Sequence, residues 1–261
     1  MKFKTKKKFG QHLLISEGVI KKIVDTAGIT SSDVVVEIGV GTGQLTEEIL
    51  KRNPKVLYGI EIDETAYPII EERFKNFQNF VLIKKDFFDV NLRELSGGEK
   101  IKLLGNLPYN VSSLILVNSV FYVDIIDLCV FMLQKEVAEK LTANPKTKNY
   151  TFLTVFIQTF FNVEYVMSVP ARFFKPPPKV TSAVVKLTPK DSLPVPLKEA
   201  KRYKNFVSGL FSHRRKMLRS KIDRDILKKA DIPETARVEE LPLEKFITLY
   251  NLSKETGNNS L

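Results

Sequence analysis

One six-residue stretch combines side chains that could hold and present an aromatic amine. It is Gly105-Asn106-Leu107-Pro108-Tyr109-Asn110, and it follows an apolar run, Ile101 to Leu104, that predicts a buried strand. Asn106 offers an amide oxygen to an exocyclic amine, Pro108 fixes the backbone, and Tyr109 supplies a flat face for stacking. Open α/β sheets bind ligands in loops at the carboxyl ends of strands. The stretch therefore suits a purine amino group held for attack, although an ordinary Asn-Pro turn uses the same residue types.

A glycine-rich turn lies earlier in the chain. The predicted strand Val34–Ile38 leads into Gly39-Val40-Gly41-Thr42-Gly43, and a helix is predicted from Gln44 to Arg52. Glycines let the backbone turn tightly and let a ligand approach the main chain. Gln44 stands where the dinucleotide fingerprint requires glycine. This disfavours a nicotinamide dehydrogenase and favours a ligand without a pyrophosphate, such as S-adenosylmethionine.

Acidic residues lie within or beside the ends of three successive predicted strands. Glu37 is in the first, and Glu61 follows the second, roughly 20 residues past the glycines, where a carboxylate can accept both ribose hydroxyls. Asp86 follows the third and can accept an adenine amino group, while Phe87 beside it can pack on the ring. Each could be a solvated surface carboxylate, but together they predict a nucleoside pocket.

The formal net charge of +11, with a pI near 9.5, is concentrated in two clusters. The first contains Lys4, Lys6, Lys7 and Lys8, and the second includes Arg214, Arg215, Lys216 and Arg219. Two separated basic patches predict binding to a polyanion, most often nucleic acid. The alternative is a surface whose charge serves only solubility.

Composition excludes several other classes. No apolar run reaches the roughly 20 residues that span a bilayer, and no apolar segment follows the charged start, so we expect a cytoplasmic protein rather than a secreted or membrane one. Cys129 is the only cysteine and lies in an apolar run, which predicts a core residue. His12 and His213 are the only histidines and are far apart in sequence, so we predict no metal site.

The remaining pattern predicts an α/β domain over residues 1–188, with a basic arm over 1–8, and a small helical domain over 189–261. The proline-punctuated stretch Pro189 to Pro196 marks the boundary. Further predicted strands are Val56–Ile60, Phe80–Ile83, Leu128–Leu133, Glu164–Val169 and Ser182–Leu187. Predicted helices after the boundary are Leu197–Phe211, Arg214–Ile222, Arg224–Ala230 and Leu243–Asn251.

The chain resembles the ribosomal RNA small-subunit adenine dimethyltransferases, the kasugamycin-resistance family, over nearly its whole length. Six segments carry the resemblance: Phe9-Gly10-Gln11-His12-Leu13-Leu14, Glu37-Ile38-Gly39-Val40-Gly41-Thr42-Gly43, the Gly105 to Asn110 stretch, Phe131-Met132-Leu133-Gln134-Lys135-Glu136-Val137-Ala138, Phe174-Lys175-Pro176-Pro177-Pro178-Lys179-Val180, and Phe211-Ser212-His213-Arg214-Arg215-Lys216. Each is weak to moderate alone, and in order they are specific. The sequence departs at His12, where the family usually has asparagine.

The resemblance implies a class I S-adenosylmethionine-dependent methyltransferase fold, Rossmann-like with a mostly parallel seven-stranded sheet, and a small all-helical C-terminal domain for RNA recognition. It implies N6,N6-dimethylation of two adjacent adenosines in the 3′-terminal hairpin of small-subunit ribosomal RNA, with S-adenosylhomocysteine as product. The implied substrate is this RNA or the pre-small-subunit particle. The implied enzyme is a monomer that needs no metal and binds no membrane. The implied catalytic residues are Asn106, Leu107, Pro108, Tyr109 and Phe174. The implied cofactor-binding residues are Gln11, His12, Leu14, Glu37, Gly39, Gly41, Gly43, Glu61, Ile62, Asp86, Phe87 and Asn106.

Three alternatives remain open at this point. The erythromycin-resistance type dimethylates an adenosine of large-subunit RNA on the same fold. A non-catalytic RNA-binding assembly or transcription factor could have kept the fold. DNA adenine methylation is also possible, because the Asn106 loop does not itself contact the 2′-hydroxyl that distinguishes RNA from DNA.

Overall fold

The computed structural model describes residues 12–255, and these divide into two compact units. The first contains residues 12–138 and 163–189, and the second contains 139–162 and 190–255. The basic arm, with Lys4, Lys6, Lys7 and Lys8, and the predicted cofactor residue Gln11 lie outside the described residues. No helix within the described range is both long and apolar enough to cross a bilayer.

The first unit is built on a seven-stranded sheet in the order β4-β3-β2-β5-β6-β9-β7. The strands of the described chain are β1 (Leu13–Leu14), β2 (Val34–Ile38), β3 (Val56–Glu61), β4 (Phe80–Lys84), β5 (Ile101–Asn106), β6 (Ile126–Gln134), β7 (Phe161–Val169), β8 (Phe174–Lys175) and β9 (Ser182–Pro189). Pairing from β4 through β6 is parallel, and β9 runs antiparallel to β6. This confirms the predicted α/β class with a mostly parallel seven-stranded sheet.

Helices lie between the strands of the first unit and form most of the second unit. They are α1 (Glu17–Ala27), α2 (Gln44–Leu50), α3 (Tyr67–Phe74), α4 (Leu92–Ser96), α5 (Ser112–Val120), α6 (Lys135–Leu141), α7 (Phe152–Phe160), α8 (Ala200–Phe211), α9 (Arg224–Lys229) and α10 (Leu243–Glu255). All five residues of β2 are buried, as in parallel strands covered on both faces. Because β2 to β5 are parallel, their carboxyl ends meet at one edge, where the predicted site residues follow.

A two-stranded sheet pairs two segments of the first unit that are far apart in sequence. Leu13 in β1 pairs with Lys175 in β8, and Leu14 pairs with Phe174, in antiparallel register. The Ile15 N–H also donates to the Phe173 carbonyl at 2.8 Å. This pairing fixes the chain around His12 beside the proline-rich segment, an arrangement that the sequence did not predict.

The second unit is helical, but it is larger than the predicted C-terminal domain. The predicted boundary at 188/189 lies within one residue of the division after Pro189. Residues 139–162, which the prediction included in the α/β domain, lie in the second unit. The reason lies in α7, whose Phe156 and Phe160 pack around Tyr203 of α8. The Thr159 and Tyr203 hydroxyls are 3.0 Å apart within this buried cluster. An apolar helix does not reveal from its own sequence which core it joins.

Candidate active site

A cavity of about 300 Å³ lies at the carboxyl ends of β2 to β5, within the first unit. It is lined by His12, Leu13, Ile38, Gly39, Gly41, Ile60, Glu61, Ile62, Lys85, Asp86, Phe87, Phe88, Asn106, Leu107, Pro108, Tyr109, Asn110, Val111 and Ile115. The glycine turn and the Asn106 loop therefore border the same space. Its volume is at the lower end of the roughly 300–1,000 Å³ that is typical of small-molecule sites.

The Asn106 side chain is held in one orientation. Its amide nitrogen donates to the His12 carbonyl at 2.8 Å, and because a carbonyl only accepts, the facing atom must be the nitrogen. The next residue, Leu107, donates its N–H to the Met132 carbonyl at 2.9 Å and so continues the sheet. No described residue donates to the Asn106 amide oxygen. The cavity is thus bordered by a residue with a fixed and unused acceptor.

The Tyr109 ring is positioned by a hydrogen bond at its far end. The Tyr109 and Ser182 hydroxyl oxygens are 2.6 Å apart, and Ser182 at the start of β9 is fully buried. Burial raises the pKa of the Tyr109 phenol, so the ring remains neutral at neutral pH. The loop from Gly105 to Asn110 therefore presents polar but uncharged groups to the cavity.

Carboxylates lie on the other side of the cavity. Glu61, at the end of β3, accepts the Gly41 N–H at 2.8 Å and the Asp63 N–H at 2.7 Å. Burial raises its pKa, and these backbone hydrogen bonds oppose the rise. Asp86 accepts the Phe88 N–H at 3.0 Å with one oxygen. Each carboxylate keeps lone pairs for further hydrogen bonds.

The three glycines of the turn have different structural tasks. Gly39 and Gly41 line the cavity with φ of +80° and +60°, a region that side chains rarely adopt. Gly43 lies at the N-cap of α2 and does not line the cavity. A Cβ atom there would be 2.5 Å from the Phe74 ring, so Gly43 is required by packing. The predicted cofactor contact of Gly43 is therefore not found at the cavity wall.

Glu37 is a buried carboxyl just before the glycine turn and is 1% exposed. Its Oε2 accepts the Thr46 hydroxyl at 2.6 Å, while Oε1 is buried without a hydrogen-bond partner among residues 12–255. Burial, with a smaller contribution from Glu61, raises the pKa of Glu37 to about 8. Glu37 therefore contacts α2 through Thr46 and does not line the cavity.

Two other predicted residues are absent from the cavity wall. Phe174 is only 3% exposed and Leu14 5% exposed, and both belong to the hydrophobic core. The prediction that Phe174 offers a stacking face to the substrate is not met in this structure. The physical reason is the pairing of β8 with β1, in which Phe174 lies opposite Leu14 and packs inward.

The sequence analysis missed several residues of the cavity. These are Leu13, Ile38, Ile60, Lys85, Phe88, Asn110, Val111 and Ile115. Most are immediate neighbours of predicted residues at strand ends, so position along the strand was the available signal. Val111 directly precedes α5 and Ile115 lies in its first turn, and only the fold brings them to the cavity.

The second basic cluster separates into anchoring and exposed side chains. The Arg214 guanidinium donates to the Lys148 and Thr147 carbonyls at 2.8 and 2.9 Å and pairs with Glu239. By contrast, Arg215, Lys216 and Arg219 are exposed. Arg214 therefore holds parts of the second unit together, and its predicted contact with RNA stays a prediction.

The predicted helix Arg214–Ile222 is also wrong. The chain forms turns followed by the short 3-10 helix Leu218–Ser220. Met217 instead makes an antiparallel bridge with Arg237, and the Leu218 N–H donates to the Ala236 carbonyl at 2.8 Å. Contacts with residues nearly 20 positions away override the local helical pattern.

Comparisons with known proteins identify the family of this chain. The family model described as "Ribosomal RNA adenine dimethylase" matches residues 2–255. A "Ribosomal RNA small subunit methyltransferase A" from Persephonella marina is 68% identical over 260 residues, covering 98% of each chain. Another protein of that name, from Sulfurihydrogenibium sp., is 62% identical and covers 96% of this chain and 97% of its own.

Two solved structures share the fold over most of the chain. A dimethyladenosine transferase from Plasmodium falciparum superposes with a TM-score of 0.81 at 28% identity, covering 94% of this chain and 98% of its own. The 23S rRNA methyltransferase ErmE superposes with a TM-score of 0.71 at 26% identity, covering 92% and 98%. On the family model and the identity to these relatives, the chain belongs to the ribosomal RNA adenine dimethylase family.

Proposed function

We propose that the protein uses S-adenosylmethionine to dimethylate N6 of two adjacent adenosines in the 3′-terminal hairpin loop of small-subunit ribosomal RNA. The observation that carries the proposal is the single cavity bordered by both the glycine turn and the Asn106 loop. The 68% and 62% identical relatives, both named small-subunit methyltransferases, favour this substrate over the large-subunit RNA of the 26% identical ErmE.

The side of the cavity formed by the ends of β2 to β4 fits the methyl donor. Glu61 keeps lone pairs that can accept ribose hydroxyls, and Asp86 has an oxygen for an adenine amine. Apolar faces of Ile62 and Phe87 line the same region. The backbone permits close approach of a ligand, because Gly39 and Gly41 line the cavity and carry no side chain. When bound, S-adenosylmethionine supplies a methyl group on a sulfonium, which is a strong electrophile.

The Asn106 loop would hold the nucleophile. The adenine N6 lone pair is delocalised into the ring, so the protein gains most by fixing the amine in line with the methyl group. The Asn106 amide oxygen accepts one amino hydrogen. The Pro108 carbonyl already accepts the Val111 and Ser112 N–H groups at the start of α5, which leaves the Leu107 carbonyl as the second acceptor.

The loop explains why a second methyl group can be added. The amine has two hydrogens before the first transfer and one before the second, so only one acceptor is needed throughout. Asn106 is the fixed one, because its amide nitrogen is tied to the His12 carbonyl. No strong base is required, since the proton can leave after the methyl group has been transferred. Tyr109 stacks on the unpaired base, worth about 1–3 kcal/mol.

The proposal includes recognition of RNA by the second unit and by the basic residues near the start of the chain. Exposed Arg215, Lys216 and Arg219 can contact phosphates, which predicts strongly salt-dependent affinity. A base that is stacked or paired cannot reach the cavity, so the hairpin loop of the RNA must present the adenine unstacked. We infer from the family resemblance that the protein acts in the cytoplasm as a monomer and needs no metal.

The test is transfer of labelled methyl groups to isolated small and large ribosomal subunits that lack the modification. We expect label only in small-subunit RNA. Label only in large-subunit RNA would support the erythromycin-resistance type instead. Failure of the protein to bind S-adenosylmethionine in isothermal titration would favour a non-catalytic RNA-binding role.

A further inference from the structure

His12 holds an unexpected position at the cavity. Its imidazole stacks on the Tyr109 ring with 5.5 Å between ring centroids and 28° between planes. Both rings line the cavity. One face of the Tyr109 ring is therefore covered by a side chain of the protein itself.

Hydrogen bonds hold the residue from two sides. The imidazole Nδ1 is 2.9 Å from the Pro176 carbonyl, and because that oxygen only accepts, Nδ1 carries the proton. The His12 carbonyl accepts the Asn106 amide at 2.8 Å. The ring can leave Tyr109 by breaking the first bond. The second bond uses only the backbone carbonyl of His12 and so survives a change of the His12 side chain.

The space between the two rings is too small for a base. A base stacked on both sides needs its neighbours roughly 7 Å apart, twice the rise of about 3.4 Å between stacked bases. The observed ring separation is 5.5 Å. Phe174 does not provide another aromatic face, because it is buried in the core.

We propose that the His12 imidazole and the acceptor adenine compete for the same face of Tyr109, so that the base enters by displacing the imidazole. This inference rests on the proposed function. His12 is then a positioning residue that lowers the apparent affinity for the acceptor by the cost of its displacement. It acts as a selector at the cavity because only a base that stacks better than imidazole gains entry.

The chain offers a direct measurement, since His12 and His213 are its only histidines. We would record the ¹H–¹³C signals of the imidazole rings in full-length protein saturated with S-adenosylhomocysteine, and assign them with His213→Gln. Stacking on Tyr109 should shift the His12 signal upfield of its position in Tyr109→Ala. Equal positions in the two proteins would show that the stack is absent and would overturn the inference.

The second step adds a hairpin RNA with the small-subunit 3′-terminal loop, and a matched hairpin with guanosines in place of the two adenosines. We expect only the adenosine hairpin to move the His12 signal to its Tyr109→Ala position. An unmoved signal, or one moved further upfield by a sandwiched base, contradicts displacement. If methyl transfer occurs while the signal stays in place, the inference fails and the proposed function stands. Absence of both transfer and binding rejects the proposed function and this inference with it.

Kinetics give an independent measure. His12→Asn removes the stacking ring, and we expect the KM for the hairpin to fall about three- to tenfold. His12→Phe keeps a stacking ring but loses the hydrogen bond to the Pro176 carbonyl. Its KM for the hairpin should therefore lie between those of the wild type and His12→Asn. A purely structural role of His12 would instead lower kcat in both variants, which would refute the selector role.

Discussion

Asn106 and Arg214 are both polar residues that the sequence marked as functional, but they differ in how their hydrogen-bonding groups are used. The Asn106 amide nitrogen donates to the His12 carbonyl, and its amide oxygen remains available to a ligand in the cavity. The Arg214 guanidinium donates to the Thr147 and Lys148 carbonyls and forms an ion pair with Glu239. Residue type and local sequence do not distinguish these two situations.

The difference teaches which predicted residues can act on a partner. A side chain whose hydrogen bonds are complete within the fold contributes to stability, and one with unused acceptors or donors can bind. Within the second basic cluster, Arg215 and Lys216 belong to the second kind because they are exposed. At the cavity, Asn106, Glu61 and Asp86 belong to it as well.

The largest effect is expected from Asn106→Ala. This change removes the fixed acceptor for the amine, and we expect kcat to fall by about 10²–10³-fold, the range for removing one polar group that acts in the transition state. RNA affinity should be nearly unchanged. Steady-state kinetics with an RNA-binding assay measure both, and Asn118→Ala in α5 is the matched control. Retention of more than a tenth of wild-type kcat would break the proposed contrast with Arg214.

Tyr109→Ala should have the next largest effect. Loss of a stacking face worth about 1–3 kcal/mol predicts a kcat/KM lower by roughly 5- to 150-fold. Tyr109→Phe keeps the face but loses the hydroxyl contact with Ser182, so most activity should remain. Equal activity of the two variants would show that the hydroxyl, not the ring face, is the functional part.

Arg214→Ala sharpens the comparison from the structural side. We expect the free energy of unfolding to fall by about 1–2 kcal/mol, a value reduced for partial exposure, because two backbone carbonyls and Glu239 lose their donor. Arg215→Ala should leave stability unchanged and lower the slope of log affinity against log salt by about 1. Chemical denaturation and RNA titrations at several salt concentrations separate the two. If Arg214→Ala changes the salt slope without changing stability, its structural assignment is wrong.

The last prediction concerns the pH dependence of stability, whose change over any one pH unit is small. The pKa of Glu37 is raised to about 8, so between about pH 4.5 and 8 the folded protein retains a proton that the unfolded chain releases. Stability from this group is therefore lost as pH rises, by at most about 1.4 kcal/mol per pH unit. Glu37→Gln should gain stability relative to wild type as pH increases over this range. The exposed Glu64→Gln should show no such trend in parallel denaturation curves, and a flat difference for Glu37→Gln would refute the raised pKa.

Much of the first unit could be predicted from sequence because its signals are local. The central strands are continuous apolar runs, and the observed β2 and β4 match their predicted positions within one residue. The ends of these strands then place Gly39, Glu61, Asp86 and Asn106 along one edge of the sheet. Because neighbouring strands are parallel, residues that follow their carboxyl ends must lie at the same edge of the sheet.

The remainder depended on long-range contacts. The two-residue strands β1 and β8 are too short to show a periodicity, yet their pairing buries Phe174 and brings His12 against Tyr109. In the second unit, the bridge between Met217 and Arg237 replaced a predicted helix. Residues 139–162 joined that unit through aromatic packing that their own sequence does not specify.

The most direct test of the central claim is mass spectrometry of small-subunit RNA incubated with the protein and S-adenosylmethionine. We predict two adjacent N6,N6-dimethyladenosines in the 3′-terminal hairpin with the wild-type protein, and largely unmodified adenosines after the same incubation time with Asn106→Ala. Methyl groups on ring carbons or riboses, or adenosines left unmodified by a wild-type protein that binds the methyl donor, would contradict the claim that the cavity presents an adenine amine for transfer.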